Sequence, residues 1–165
     1  MGDIYSFIFN KFICEKLIFE IIGEGSELEK IKEYIKKKNL NNIHILGKIS
    51  NDKVLDLYSK SKIIIAPSIW PEPFGRFILE SMATGTPLVT TNTGGTPEGI
   101  KNRETGMIVE PNHPEQISKA IKELLNNKNL YNKIVKNLRK EAKKYSSEVI
   151  GKKRIKLYGP TLKII

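Results

Sequence analysis

IIIAPSIWPEPFGRFILESMATGTPLVT, residues Ile63 to Thr90, runs from one continuous apolar segment through a proline-rich loop and a helical pattern into a second apolar segment. Ile63–Ala66 predicts a buried strand. The loop spans Pro67–Pro73. The spacing predicts a helix from about Phe74 to Thr84, with Phe74, Phe77, Ile78 and Met82 on its core face and Gly85 as its stop. Pro87–Thr90 is the next strand. Two consecutive strands joined through a helix are parallel, because a crossover of this length returns the chain to the same end of the sheet. Both are near-continuous apolar runs, as when helices cover both faces of a sheet.

The same alternation extends outward. Leu17–Ile22 predicts a strand stopped by Gly23-Glu24-Gly25, and Ser26 with Glu29 forms the pattern of a capping box for a helix reaching about Lys38. Leu28, Ile31 and Ile35 share one face of that helix. Ile43–Leu46 is a further strand, and Ser50 or Asn51 caps a helix carrying Val54, Leu55 and Tyr58. After Thr90 come a loop at Thr91–Gly95, a short helix at Thr96–Ile100 and a strand at Met107–Val109. The remainder reads as helices at Pro114–Leu125, Leu130–Lys144 and Glu148–Tyr158. The expected fold class is α/β, a Rossmann-like parallel sheet flanked by helices, with carboxyl-terminal helices. One domain spans 1–165: an atypical start at 1–16, an α/β core at 17–110 and helices at 111–165.

Of the 165 residues, 39% are hydrophobic and 28% charged, a soluble globular balance. The formal net charge is +10. Lysines on solvated helix faces account for it; phosphorylated ligands, anionic membranes and nucleic acid are the functional alternatives. No aromatic-basic interleaving of the kind that stacks bases is present, which argues against nucleic acid. The single cysteine, Cys14, cannot form an internal disulfide, and a reducing, cytoplasmic compartment is expected. The apolar stretch Ile4–Ile13 is interrupted by Asn10 and Lys11; it reads as a helix with one buried face rather than a leader or a membrane span.

In open parallel sheets, ligands bind beyond the carboxyl ends of the strands, so the loops after Ile22, Leu46, Ala66 and Thr90 are the ones to search. The loop after Ala66 opens a helix, whose first N–H groups and positive dipole end suit a phosphate. Gly75 lets a ligand approach the backbone. Glu80 lies roughly 8 Å along the helix from its start, at the rise of about 1.5 Å per residue. Glu72 precedes the helix. A carboxylate accepts two hydrogen bonds from a vicinal diol such as that of a ribose. The competing reading of Glu80 is an i, i+4 pair with Arg76.

Glu72-Pro73-Phe74-Gly75, Glu80, and then Ser81 through Val89 with Gly85-Thr86-Pro87 resemble the signature of family 4 retaining glycosyltransferases: two glutamates separated by seven residues, a small-residue helix end, Gly-x-Pro and a strand. Gly94-Gly95-Thr96-Pro97-Glu98 resembles the glycine pair that follows in that family. Leu46-Gly47, Leu57–Ser61 and Gly106–Val109 also fit, and the resemblance spans about residues 17–158. It implies the nucleotide-sugar-binding half of a two-domain GT-B fold, with the acceptor-binding amino-terminal domain absent.

The resemblance also assigns roles. Glu80 holds the donor's ribose hydroxyls, and Glu72 contacts the donor sugar and assists catalysis. The backbone of Phe74, Gly75 and Arg76 lies against sugar and phosphates. The turn Gly47-Lys48-Ile49 lies near the nucleobase, Gly23 and Gly25 line the same cleft, and Gly94 and Gly95 keep another loop close. The donor is a nucleotide-diphosphate sugar, UDP- or GDP-linked, with no other cofactor. No metal is expected: Asp3, Asp52 and Asp56 form no Asp-x-Asp pair, and His44 and His113 are isolated. An Arg and a Lys that grip the diphosphate in the family belong to a loop expected before Met1; Arg76 is the residue that offsets some of that charge.

Two further expectations concern partners. An acceptor domain or partner subunit carrying the amino-terminal half completes the enzyme, the alternative being a stand-alone binding module without transferase activity. The basic carboxyl-terminal residues Lys136, Arg139, Lys140, Lys143, Lys144, Lys152, Lys153, Arg154 and Lys156 form a solvated face or, alternatively, a peripheral contact with the anionic cytoplasmic face of a membrane.

Overall fold

The computed structural model describes residues 17–71 and 73–145. In chain order the elements are β1 (Phe19–Ile22), α1 (Leu28–Lys37), β2 (Ile43–Gly47), α2 (Asn51–Lys60), β3 (Ile64–Ala66), α3 (Arg76–Thr84), β4 (Leu88–Thr91), α4 (Thr96–Gly99), β5 (Met107–Val109), α5 (Pro114–Asn126) and α6 (Lys128–Ala142), followed by a 3-10 turn at Lys143–Tyr145. The helices expected at Ile4–Ile13 and Glu148–Tyr158 lie outside the described residues, as do Glu72 and the basic residues from Lys152 to Lys156.

All strand pairs are parallel. β1 pairs with β2, Phe19 opposite Ile43. β3 pairs with β4, Ile64 opposite Leu88, and β4 with β5, Val89 opposite Met107. The result is an α/β domain with a small parallel sheet flanked by helices, one half of a GT-B fold. The sheet is in two parts, β1–β2 and β3–β4–β5, with no strand hydrogen bonds between them among the described residues.

The core lies where α3, α5 and α6 cover the three-stranded part. Ile78, Leu88, Val89, Ile134 and Leu138 are completely buried. Removing a side chain of this kind costs about 2–5 kcal/mol through lost transfer energy and the cavity left behind. α6 docks beside α3, and β4 is buried along its whole length, with the hydroxyls of Thr90 and Thr91 donating to the Ala66 and Ser68 carbonyls.

The segment Gly85-Thr86-Pro87 ties three elements together. Gly85 ends α3 in the left-handed conformation, φ 71°, which favours glycine. Thr86 Oγ1 donates to the Tyr58 carbonyl of α2 at 2.7 Å, and Ser81 Oγ of α3 donates to the Thr86 carbonyl at 2.7 Å. The Pro87 carbonyl accepts from the Ile64 N–H of β3 at 2.9 Å. These bonds fix α2, α3 and β3 relative to one another.

Two caps differ from expectation. Ser26 and Glu29 form no capping box: α1 opens at Glu27, which makes no side-chain cap bond, and Glu27 and Glu29 instead pair with Lys30 and Lys32. Ser50 occupies the N-cap of α2 without a side-chain cap bond, and the Asn51 side chain is used elsewhere. In both cases a lysine or an arginine takes the polar side chain that sequence spacing assigns to backbone N–H groups.

Candidate functional site

Helix α3 starts two residues later than expected, at Arg76, with Gly75 as N-cap. Gly75 is buried at φ −69° and ψ 129°, so it is not needed there for an unusual backbone angle. The reason is packing: a Cβ on Gly75 would overlap the Phe77 ring. Phe74, just outside the helix, packs its ring against Tyr145 with centroids 6.1 Å apart, and against the closely approaching Gly99 of α4. The aromatic side chains thus hold the entry to α3 from the core side.

At that entry the N–H of Ile78 donates to the Gly75 carbonyl at 3.0 Å. The N–H groups of Arg76 and Phe77 have no acceptor among the described residues, and no side chain caps this end. Unpaired donors at the positive end of a helix form an anion-binding feature.

Glu80 follows one turn along. Its side chain is 16% exposed, and Oε1 lies 3.5 Å from Arg76 Nη2. Arg76 is itself 78% exposed and donates from the same nitrogen to Asn51 Oδ1 at 2.7 Å. Behind Glu80 is Tyr58, whose phenol is pushed above its ordinary pKa of 10.0 first by burial and then by the Glu80 charge. The i, i+4 pair weighed for Glu80 is therefore present, though long. It leaves most of the acceptor capacity of the carboxylate open, since an ionised carboxylate offers about four lone-pair sites.

The Asn51–Arg76 bond also brings the loop after β2 beside the loop after β3. Gly47 ends β2 with φ 66°, and its carbonyl accepts from the Gly23 N–H at 2.9 Å. Open space surrounds Gly23, Gly25 and Gly47 on the side where a Cβ would stand. Ile49 is half-buried in the turn leading to α2. Gly94 and Gly95 follow β4, Gly95 buried and Gly94 exposed. The link from this strand to the Trp70 loop is Thr91, whose Oγ1 donates to the Ser68 carbonyl; Thr90 Oγ1 does the same to Ala66 at 3.0 Å.

Glu80, Arg76, Gly75 and Phe74 thus form one group, and Gly23 joins the Gly47 turn. No hydrogen bond or ion pair links Gly94 or Gly95 to Glu80. Glu72 lies outside the described residues. Sequence reasoning passed over Asn51, read as a cap, and Tyr58, read as a face residue; neither has a motif to mark it. Among the described residues no group of three or more His, Cys, Asp or Glu side chains could hold a metal ion. His44 is exposed on β2, and His113 Nδ1 lies 2.6 Å from Glu115 Oε1 at the start of α5.

The sequence pattern of the family described as Glycosyl transferases group 1 matches residues 11–141. The chain belongs to this family. Among curated relatives, an uncharacterized glycosyltransferase of Methanocaldococcus jannaschii is 33% identical over 139 residues, which make up 83% of this chain and 39% of that protein. The crystal structure of a glycosyltransferase from Rickettsia africae superposes with a TM-score of 0.86 at 30% identity, covering 99% of this chain and 45% of that one. The Anabaena protein HepE, solved in complex with UDP-glucose, shares the fold with a TM-score of 0.83 at 20% identity, covering 97% and 45%. The chain therefore spans less than half the length of these group 1 glycosyltransferases and their structural counterparts. Among the described residues, no helix is long and apolar enough to cross a membrane.

Proposed function

We propose that this chain is the donor-binding domain of a retaining glycosyltransferase of family 4, acting on a nucleotide-diphosphate sugar together with an acceptor-binding half. The observation that carries this reading is the entry of α3. Two N–H groups with no acceptor among the described residues, those of Arg76 and Phe77, stand one turn from a largely buried carboxylate, Glu80. A diphosphate at the N–H groups and a ribose diol at Glu80 satisfy both. HepE, which shares the fold, binds UDP-glucose, and this supports a UDP-linked donor.

In this reading the helix end stabilises the charge that develops on the departing diphosphate, a role electrostatic preorganisation performs without rearrangement. The exposed Arg76 guanidinium turns from Asn51 toward the phosphates and adds positive charge. Glu72, three residues before Gly75 in sequence, contacts the donor sugar and assists transfer. The turn at Gly47–Ile49 faces the nucleobase, while Gly23, Gly25, Gly94 and Gly95 leave room for the donor. The domain works in the cytoplasm.

Calorimetric titration of UDP, GDP, ADP and the corresponding nucleotide sugars tests the reading, with Glu80→Ala alongside. Saturable binding of one nucleotide, weakened in the variant, supports a donor site and names its base. A folded chain that binds none of them rejects donor binding by this domain alone.

A further inference from the structure

Trp70 is the only tryptophan in the chain, and it is 68% exposed. It sits in the loop that carries the chain from β3 to α3. Indole surface is ordinarily taken into a core or an interface. This loop is built to keep it out. Pro67, Pro71 and Pro73 each fix a backbone angle. The hydroxyls of Thr90 and Thr91 reach across from β4 to the Ala66 and Ser68 carbonyls, and Ser68 Oγ donates to the Trp70 carbonyl at 3.5 Å. The exposed ring thus stands on a backbone braced from the buried centre of the sheet.

Its place relative to the donor site follows from the strand direction. β3 and β4 are parallel, so Trp70 lies past the carboxyl end of β3, on the edge of the sheet where α3 opens. In the donor-domain reading, on which this inference rests, the donor is laid out along that edge. The ribose is at Glu80, the diphosphate at the Arg76 and Phe77 N–H groups, and the transferred sugar beyond them. Backward along the sequence from Glu80, the chain passes Arg76 and Gly75, then Glu72, then Trp70. Trp70 therefore belongs to the sugar end of the site and not to the base end at the Gly47 turn.

An indole offers a flat apolar face with a single N–H donor at its rim. A pyranose offers the complement, a face of C–H groups with hydroxyls around its edge. A phosphate has no apolar face to set against the ring. We infer that Trp70 is a stacking platform for a pyranose ring, contributed by the donor or by a glycoside acceptor. The braced loop sets the indole in place before the sugar arrives, which spares part of the ordering cost of binding.

Because Trp70 is the sole tryptophan, the emission of the full chain reports on this ring alone. Emission and its quenching by acrylamide are followed during titration with UDP, GDP and ADP, and then with UDP-, GDP- and ADP-glucose, UDP-galactose, UDP-N-acetylglucosamine and GDP-mannose. Methyl glucoside, methyl galactoside and methyl mannoside are added with and without nucleotide. The expected result is a blue shift whenever the sugar is present, with quenching about halved, since stacking covers one of the two faces of the ring. A nucleotide sugar that produces it identifies the donor ring, and a methyl glycoside that alone produces it identifies the acceptor; either supports the inference. Trp70→Ala is expected to lower affinity for the sugar-bearing ligand about tenfold with nucleoside diphosphate affinity unchanged, while Trp70→Phe retains most of it. Unchanged sugar affinity in Trp70→Ala, or an equal loss in Trp70→Phe, overturns the inference. So does a blue shift with a nucleoside diphosphate alone, which puts the base or the phosphates on the ring. Nucleotide binding without any response to sugar overturns it and leaves the donor-domain reading standing. No binding of any of these ligands removes both, and a glycoside response without nucleotide binding removes the donor-domain reading alone.

Discussion

Arg76 Nη2 donates to the neutral Asn51 side chain at 2.7 Å and lies 3.5 Å from Glu80 Oε1. The guanidinium is anchored by an amide and only grazes the carboxylate. An exposed i, i+4 pair of this kind contributes at most a few tenths of a kcal/mol. Glu80 is thus held in place by its helix and its surroundings, with its oxygens still available.

Glu80→Ala is accordingly expected to change folding stability by less than about 0.5 kcal/mol. Its donor affinity should fall by about 1.5–3 kcal/mol, the range for hydrogen bonds to a charged group. Urea unfolding and calorimetry on the same preparation check both parts. A large stability loss with donor affinity intact would make Glu80 a structural residue.

Arg76→Ala should weaken nucleoside diphosphate binding by about 0.5–1 kcal/mol, in keeping with an exposed charge, and flatten its salt dependence. Titration of UDP and GDP at two ionic strengths measures this. An unchanged affinity removes Arg76 from the phosphate site.

Gly75→Ala forces a methyl group into the Phe77 ring. Overpacking of this kind costs about 1–3 kcal/mol, and it should also displace the N–H groups at the α3 entry. A second substitution, Phe77→Leu, should recover part of the stability. Denaturant midpoints for the single and double variants provide the check; additive losses would show that the ring does not set the requirement for glycine.

Tyr58 has a phenol raised above its ordinary value of 10.0, by burial and then by the Glu80 charge. The unfolded chain therefore loses this proton first as pH rises. The stability linked to Tyr58 is fully present below pH 10 and is lost as pH climbs from there through the folded-state value. Tyr58→Phe should show a shallower decline above pH 10. Glu80→Gln should move the Tyr58 titration back toward its ordinary value, which ultraviolet absorbance difference spectra can follow. No movement would mean that burial alone perturbs the phenol.

The strand and helix pattern from Ile63 to Thr90 was legible because continuous apolar runs and a glycine stop are local signals. Its helix boundary was not: Phe74 and Gly75 fit a helical spacing, yet the contacts of their neighbours Phe77 and Tyr145 hold them in the turn before it. The expected cap partners Glu29 and Asn51 are taken for a related reason. A cap is a choice between a backbone N–H and whatever cation lies nearby, and Arg76 is far from Asn51 in sequence. Glu80 was readable as a site residue from its helix position, whereas Tyr58 became relevant only once Gly85-Thr86-Pro87 drew α2 against α3. The division of the sheet was not readable either, because strand order in a parallel sheet depends on crossovers and not on the composition of each strand.

That division bears on how the chain behaves in a flask. Strand edges that have no strand partner among the described residues can pair with an extended polypeptide, and among like molecules the obstacle is mutual repulsion from a net charge of +10. Repulsion of this kind reaches about 10 Å at 0.1 M salt and only about 3 Å at 1 M. High-salt buffers, which usually calm a basic protein, should instead shorten the shelf life of this one, with turbidity rising on storage.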